Sequence, residues 1–555
     1  MTLVREDLRW NGWGRLGEST DFSRAREEAL LAELGRRLGR TLVRTPPPAE
    51  LSAIRLPPPK LSTETLARLR AACGDEGVRI GAFDRITHAL GRSLPDLMRL
   101  RRGEVDRFPE AVVAPHDEGA VAAVLRVAAE QRLAVVPFGG GSSVVGGVEP
   151  VAAPGQLGAL SLDTTRLDRL VSVDPESGTA TFQAGIDGPA LEAALAEHGL
   201  TLGHFPQSFE HSTLGGWIAT RSVGQNSDGY GGIDELVVAV RMVTPQGVIR
   251  TLAVPRSATG PDWNHLVLGS EGTLGVIVEA TLRVRPVPRA TDLRAALFHT
   301  FTDGVAALHA MRREDLPLSM ARLSDGAETE LSLLVRRDPA RRLDPAALAL
   351  GAAARLGWGE GRAALLYGAE GQDRGAVRHA LSRARAIARR HGALPLGRAP
   401  GRSWQRERFR TPYLRDWLLD HGVAVDTMET AFPWSRLEAG HREVCAALRT
   451  SLETRAGAGL AMAHLSHSYR DGACLYFTAL WPIDASRDLE QWAEIKREAT
   501  EAILAAGGTL SHHHGVGLDH APWLARERGA LAVSALRAAK AALDPRGLMN
   551  PGKLL

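Results

Sequence analysis

Apolar residues recur along this chain with periods that switch between strand and helix. From Ala111, AVVAP reads as a short buried strand, and Asp117 stands where a helix cap belongs. Val121, Val124, Leu125 and Ala128 then share one helical face before AVVPF at 134–138 returns to strand. This β-α-β pattern delivers the chain into PFGGGSSVVGG at 137–147. Beyond it, LVSVD and the alternating TATFQAG flank Pro175-Glu176-Ser177-Gly178 and predict a hairpin, followed by a helix from about Pro189 to His198. ELVVAVRMV and GVIRTLAV flank Thr244-Pro245-Gln246-Gly247, a second hairpin signal, and GSEGTLGVI at 269–277 leads into the alternating VEATLRVRPVP.

Proline-rich breaks at Pro46–Pro48 and Pro57–Pro59 set off a helical arm and linker over 1–106. A mixed domain is expected over 107–288, pausing at Pro286–Pro288. From 289 to 505, strands alternate with long Ala/Arg-rich helices and no glycine-rich loops, which suggests an α+β lid. The segment 506–555 carries GGTLSHHHGVG and ends in LDPRGLMNPGKLL. Within the arm, Leu30, Leu31, Leu34 and Leu38 share a face opposite arginines. Packing on the protein's own core is the favoured reading, and resting on a bilayer the other.

Composition narrows the field. A net charge of +3 with 44% hydrophobic residues argues for a globular chain and against a nucleic-acid partner. Only Lys60, Lys496, Lys540 and Lys553 are lysines, so arginine abundance is a coding bias and a weak signal of function. Cys73, Cys445 and Cys474 are widely spaced with no CxxC pair, which predicts neither a disulfide framework nor a zinc site and fits a reducing cytoplasm. No window reaches the ~18 uninterrupted apolar residues of a membrane span.

The glycine loop at 137–147 offers consecutive backbone N–H groups without side chains in the way, the nest a pyrophosphate requires. Its spacing is neither GxGxxG nor a Walker loop, and alone it is as well explained as an ordinary turn. Two more such loops follow, PQSFEHSTLGGWIATRSVG at 206–224 and GSEGTLG at 269–275. In that order, the three resemble the FAD-contacting segments of the vanillyl-alcohol-oxidase superfamily. The resemblance implies an α+β fold, with two α+β subdomains clasping FAD over 107–288, a cap domain over 289–505, and a C-terminal segment completing the site. It puts Pro137, Phe138, Gly139, Gly140, Gly141, Ser142 and Ser143 on the pyrophosphate. Gln207, Ser208, His211, Ser212, Thr213, Gly215 and Gly216 would line the remainder, with Thr220, Arg221, Ser222 and Val223, and with Gly269, Ser270, Glu271, Gly272, Thr273, Leu274 and Gly275. Where some members tether the flavin through a loop histidine, Gly141 and Ser142 stand here, so non-covalent FAD is expected.

Within that superfamily, RWNGWG at 9–14, SATGPDWNH at 257–265, TAFPWSR at 430–436, DGACLYFT at 471–478 and SHHHGVG at 511–517 resemble the alkyldihydroxyacetonephosphate synthases. In an extended segment, His512, His513 and His514 would alternate faces, so three side chains on one metal ion are disfavoured and no metal is expected. They suit proton transfer near neutral pH, a solvated run being the alternative. Tyr476, in ACLYFTALW, would by default pack in a core. The resemblance makes it the acid and base of the reaction, with Tyr469 as competitor. It also puts Arg415 in TPYLRDWLL on a substrate phosphate, which a guanidinium grips with two N–H groups, and Arg322 in MARLSD in support. The implied reaction replaces the acyl chain of 1-acyl-dihydroxyacetone phosphate with a long-chain alcohol without net redox, using oxidised FAD as an electrophile. An apolar tunnel and peripheral membrane contact follow as expectations, and a homodimer is compatible. LMNPGKLL departs from that family towards D-lactate and glycolate dehydrogenases, so a 2-hydroxyacid dehydrogenase or oxidase is the rival reading.

Overall fold

The β-α-β pattern forms as strand Ala111–Val113, helix Glu118–Gln131 and strand Leu133–Phe138 in the computed structural model, which describes residues 4–18, 20, 22–336 and 345–555. Asp117 caps the helix by accepting the Ala120 N–H at 2.8 Å. The two strands do not pair with each other. Gly158–Asp163 lies between them, parallel to both, and Val78–Arg79 adds antiparallel at the edge. Burial on both faces explains why these strands read as unbroken apolar runs rather than as an alternation. A second, antiparallel sheet of five strands holds both expected hairpins, Leu170–Asp174 with Thr179–Gln183 and Val237–Thr244 with Gly247–Arg250, with Val276–Arg283 at its centre.

The third sheet is the floor of the site. Its seven strands are all antiparallel, in the order Leu394–Gly397, Ala290–Phe298, Ala363–Gly371, Met320–Ser324, Leu460–Ser468, Gly472–Pro482 and Val423–Pro433. Strand alternation splits it into two faces. On Gly472–Pro482, Leu475, Phe477, Ala479 and Trp481 enter the main apolar core, covered by helices Phe301–Arg313, Arg374–Arg390, Trp434–Ala456 and Asp488–Ala505. Tyr476, Thr478 and Leu480 face the opposite way, into a large cavity.

Two ends of the chain close on this frame. In helix Arg24–Arg37 and just beyond it, Leu30, Leu34 and Leu38 are 2%, 1% and 2% exposed and pack on Trp417, Leu418, Met462 and Leu480. Those leucines are covered by the protein's own apolar residues, so the bilayer alternative fails for them. At the other end, Val135 donates to the Leu548 carbonyl at 2.8 Å and accepts the Asn550 N–H at 2.9 Å, so the C-terminal segment returns to the first sheet. All three cysteines are buried and unpaired. Among the described residues, no helix is long and apolar enough to cross a membrane.

Candidate active site

The three glycine loops converge on one cavity of about 2090 Å³, beyond the ~300–1,000 Å³ of an ordinary ligand pocket and roomy enough for a dinucleotide beside a second ligand. Pro137 to Ser143, Gln207, Ser208, Ser212, Thr213, Gly215, Gly216, Thr220, Ser222, Val223, Glu271, Gly272 and Gly275 line it. His211, Arg221, Gly269, Ser270, Thr273 and Leu274 stand behind that wall. Leu274 is core, and Thr273 donates to the Ser270 carbonyl at 2.7 Å. The glycines serve a contact the sequence did not reveal. A Cβ on Gly140 would lie 1.7 Å from the His211 carbonyl oxygen, and one on Gly139 2.2 Å from Thr213 Oγ1. The first loop is thus pressed against the second, leaving a wall of bare backbone that fits a dinucleotide's phosphates.

Across the cavity stands the polar face of the seven-stranded sheet. Tyr476 pairs in register with Glu429 on one side and His464 on the other. Its ring stacks on His464 at 4.9 Å and approaches His513 and His514 at 6.2 and 5.7 Å. Burial pushes the Tyr476 phenol up to about 12, so it is protonated at neutral pH. Tyr469 does not line the cavity. It hydrogen-bonds His512 Nε2 at 2.8 Å, and its phenol is also raised by burial.

The histidine triplet is a bent loop rather than an extended strand, held from both sides by buried carboxylates. Glu429 accepts the N–H groups of His512, His513 and His514 at 2.6, 3.1 and 2.7 Å and the Ser511 hydroxyl at 2.8 Å. Burial opposes its charge, but a proton on His514 or His513, together with the His512 N–H, outweighs that and holds its carboxyl far below the usual range. Glu271, from the third glycine loop, accepts the Val516 and Gly517 N–H groups, both at 2.7 Å, and burial raises it to about 7. His513 and His514 reach the cavity, while His512 sits behind them with its Nδ1 2.9 Å from that of His513. Burial lowers His512 to about 4 and His513 to about 3, so both are neutral at pH 7 and able to accept a proton. Of three ion-sized groupings among the described residues, two draw on the triplet, Cys474 with His512 and His513, and Glu429 with His513 and His514; neither collects all three histidines.

Two more histidines escaped sequence reading. On Leu460–Ser468, Met462, His464 and Ser466 alternate onto the cavity wall, and a register shift after Ser466 brings His467 there as well. His467 has φ 50°, a strained value for a side chain of this size, and Ser227 Oγ fixes its Nδ1 at 2.8 Å. Its ring stacks on His512 at 5.5 Å. A bulge of this kind leaves no mark in composition; only the polarity of SHSY within an apolar strand hinted at it.

Arg322 and Arg415 both line the cavity. Arg322 pairs with Glu328 at 2.8 Å, and Glu328 lies 3.0 Å from His464 Nδ1, so this group backs the ring that stacks on Tyr476. Arg415 donates through Nε and Nη2 to the Val425 carbonyl at 3.0 and 2.7 Å, through Nη1 to the Arg92 carbonyl at 3.2 Å, and meets Asp426 at 3.4 Å. Apolar residues including Phe22, Leu30, Leu331, Leu334, Met462 and Leu480 extend the cavity away from the polar wall.

The chain matches two family descriptions, "FAD binding domain" over residues 109–253 and "FAD linked oxidases, C-terminal domain" over 287–554. It is 15% identical to a p-cresol methylhydroxylase structure, covering 90% of this chain and 98% of that one with a TM-score of 0.66, a likeness of fold. A structure described as alkyldihydroxyacetonephosphate synthase superposes with a TM-score of 0.84 at 32% identity, covering 98% of both chains. The alkyldihydroxyacetonephosphate synthase of Dictyostelium discoideum is 35% identical over 92% of this chain and 83% of its own length. A flavin-binding α+β fold, motifs running from one end of the chain to the other and this degree of identity lead to one conclusion: the chain belongs to the alkyldihydroxyacetonephosphate synthase family.

Proposed function

We propose that this protein is an FAD-dependent transferase that replaces the acyl chain of 1-acyl-dihydroxyacetone phosphate with a long-chain alcohol. The observation that carries this reading is one continuous cavity bordered by the glycine loops, the Tyr476–histidine wall, Arg415 and an apolar extension. Bound FAD would supply an electron sink that is restored by the end of the cycle. The protein's own groups manage the rest. The C1–O bond to the fatty acid breaks, a C1–O bond to the alcohol forms, and the alcohol proton leaves, so there is no net redox change. Tyr476 passes its phenol proton to neutral His513 as it takes up the C1 proton, and both transfers reverse later, with His514 steadied by Glu429. Arg415 has one N–H left for the phosphate end after its four protein contacts. The apolar extension suits the chains of both substrates.

The 2-hydroxyacid alternative draws on NPGK at 550–553. There Asn550 Nδ2 donates to the Glu271 and Gly147 carbonyls at 2.7 and 3.1 Å and Lys553 Nζ to the Glu149 carbonyl, which gives the motif a structural role under either reading. Gly141 and Ser142 in the first loop favour untethered FAD. The test is ether formation from acyl-dihydroxyacetone phosphate and hexadecanol by purified holoenzyme. Tyr476→Phe is expected to lower kcat roughly 100-fold or more with FAD retained. Flavin loss in that variant, or no ether from the parent protein, contradicts the reading.

A further inference from the structure

The cavity is rich in arginines, and their partners separate them. Among the described residues, Arg36 and Arg37 pair with Glu33, Arg322 with Glu328, Arg336 with Glu407, Arg362 with Glu330 and Arg415 with Asp426, while Arg26 donates to the Val335 carbonyl. Among the described residues, only Arg408 and Arg410 line the cavity with guanidinium groups that have neither a carboxylate in ion-pair reach nor a hydrogen-bond acceptor, and Arg410 is exposed.

Arg408 is held where it stands. Its guanidinium carbon lies 4.5 Å from the Phe205 ring centroid and 4.7 Å from that of Phe409, and Phe409 is itself stacked on Phe209 at 5.2 Å. Its own carbonyl accepts the Gln207 amide at 2.6 Å and the Gln225 amide at 3.5 Å. Burial lowers its pKa, so the cation is partly stripped of water. Glu370 and Glu192 favour its charge from a distance, and neither forms an ion pair with it. Glu370 accepts from Asn226, and Glu192 from Thr201, Leu202 and Gly203. A half-dehydrated guanidinium fixed by aromatic rings, with its N–H fork unused, is a receptor waiting for an oxyanion.

We infer that Arg408 is the principal receptor for the phosphate monoester of the substrate, with Arg415 secondary because four of its N–H groups already have protein acceptors. This rests on the transfer reading above. A substrate phosphate fits better than the FAD pyrophosphate, because the latter has its cradle at Gly139–Ser143, whereas the Gln225 that holds Arg408 lies two residues from the Ser227 that holds His467. The fork binds two phosphate oxygens at once and discriminates against a neutral head group.

The test uses holoenzyme with Arg408→Met, which keeps the apolar stem on the phenylalanines, and Arg408→Lys, which keeps a charge without the fork. In Arg408→Met, KM for acyl-dihydroxyacetone phosphate is expected to rise roughly 10- to 100-fold, the range for one charge-assisted contact, with KM for hexadecanol and FAD content unchanged. Arg408→Lys should fall between this variant and the parent. Calorimetric binding of dihydroxyacetone phosphate to the holoenzyme should weaken in parallel. Ether formation with an unchanged KM in both variants overturns the inference while leaving the transfer reading intact, and loss of FAD assigns Arg408 to the cofactor instead. Absence of ether from the parent protein sinks the transfer reading, and failure of the parent to bind dihydroxyacetone phosphate sinks this inference directly.

Discussion

The two walls of the cavity are built from different materials. The glycine-loop wall is backbone, with the loops brought so close that Gly139 and Gly140 have no room for a Cβ against Thr213 and His211. The opposite wall is side chains: Tyr476 and His464 on neighbouring strands, His467 on a bulge, and a histidine loop gripped by Glu429 from the seven-stranded sheet and Glu271 from the third glycine loop. A backbone wall depends on what is missing from each residue. A side-chain wall depends on which distant residues are brought into register, and Glu429 and His513 are far apart in sequence. Damage to the first should therefore cost the cofactor, and damage to the second should cost turnover alone.

Gly140→Ala is expected to have the largest effect. The added carbon meets a backbone carbonyl, and a strain on the order of 3 kcal/mol or more should separate the loops and yield protein nearly free of flavin. Full flavin content by absorbance would show that the cofactor does not depend on this close loop contact. Glu429→Ala comes next. Three loop N–H groups lose their acceptor, and kcat should fall roughly 100-fold or more with FAD still bound, because Glu271 holds the far end of the loop. Loss of flavin together with activity would show that the walls are not independent.

His467→Gly sharpens the same point. Glycine adopts φ 50° freely, so relief of about 1–3 kcal/mol of strain should offset the lost Ser227 contact. Turnover should nonetheless drop by roughly 10-fold or more. Unchanged turnover with a large fall in thermal stability would make His467 merely structural.

A smaller, graded effect is expected from acid. Burial lowers His204 and His513 to about 3, and His211, His512 and His520 to about 4, all from 6.5. Their folded values lie below their unfolded ones, so the unfolded chain takes up protons first. Their contribution to stability is complete above pH 6.5 and is lost as pH falls from there towards about 3. Urea unfolding followed across that window should show a declining unfolding free energy, and a flat profile would deny that these histidines are buried neutral. The mildest test is acid precipitation of the holoenzyme, which should release all the flavin into the supernatant; yellow pellets would reveal a covalent tether despite Gly141 and Ser142.

The same contrast explains what the sequence disclosed. Loops made of glycine are visible as runs of glycine, and their order along the chain identified the cofactor. Both hairpins and the capped helix after Asp117 were legible for the same reason, since turn and cap chemistry is local. The order of the first sheet was not, because Gly158–Asp163 inserts between strands that look consecutive. Tyr476 and the histidine triplet were singled out through resemblance, whereas Glu429, His464 and His467 at the same wall were not. In TMETAFPW, Glu429 looks like an ordinary strand acid, and its role arises from a loop that returns over 80 residues later. The leucines of helix Arg24–Arg37 gave the opposite lesson, since an amphipathic face says that something covers it and not what.

The proposed reaction is exchange of chains on a flavin that ends as it began. The most direct measurement follows the flavin absorbance of the holoenzyme without oxygen during turnover with acyl-dihydroxyacetone phosphate and hexadecanol, and separately with D-2-hydroxyacids. Ether product with the oxidised spectrum restored at the end of the reaction, and no bleaching by the hydroxyacids, is the expected result. Lasting bleaching by a hydroxyacid with no ether formed would contradict it.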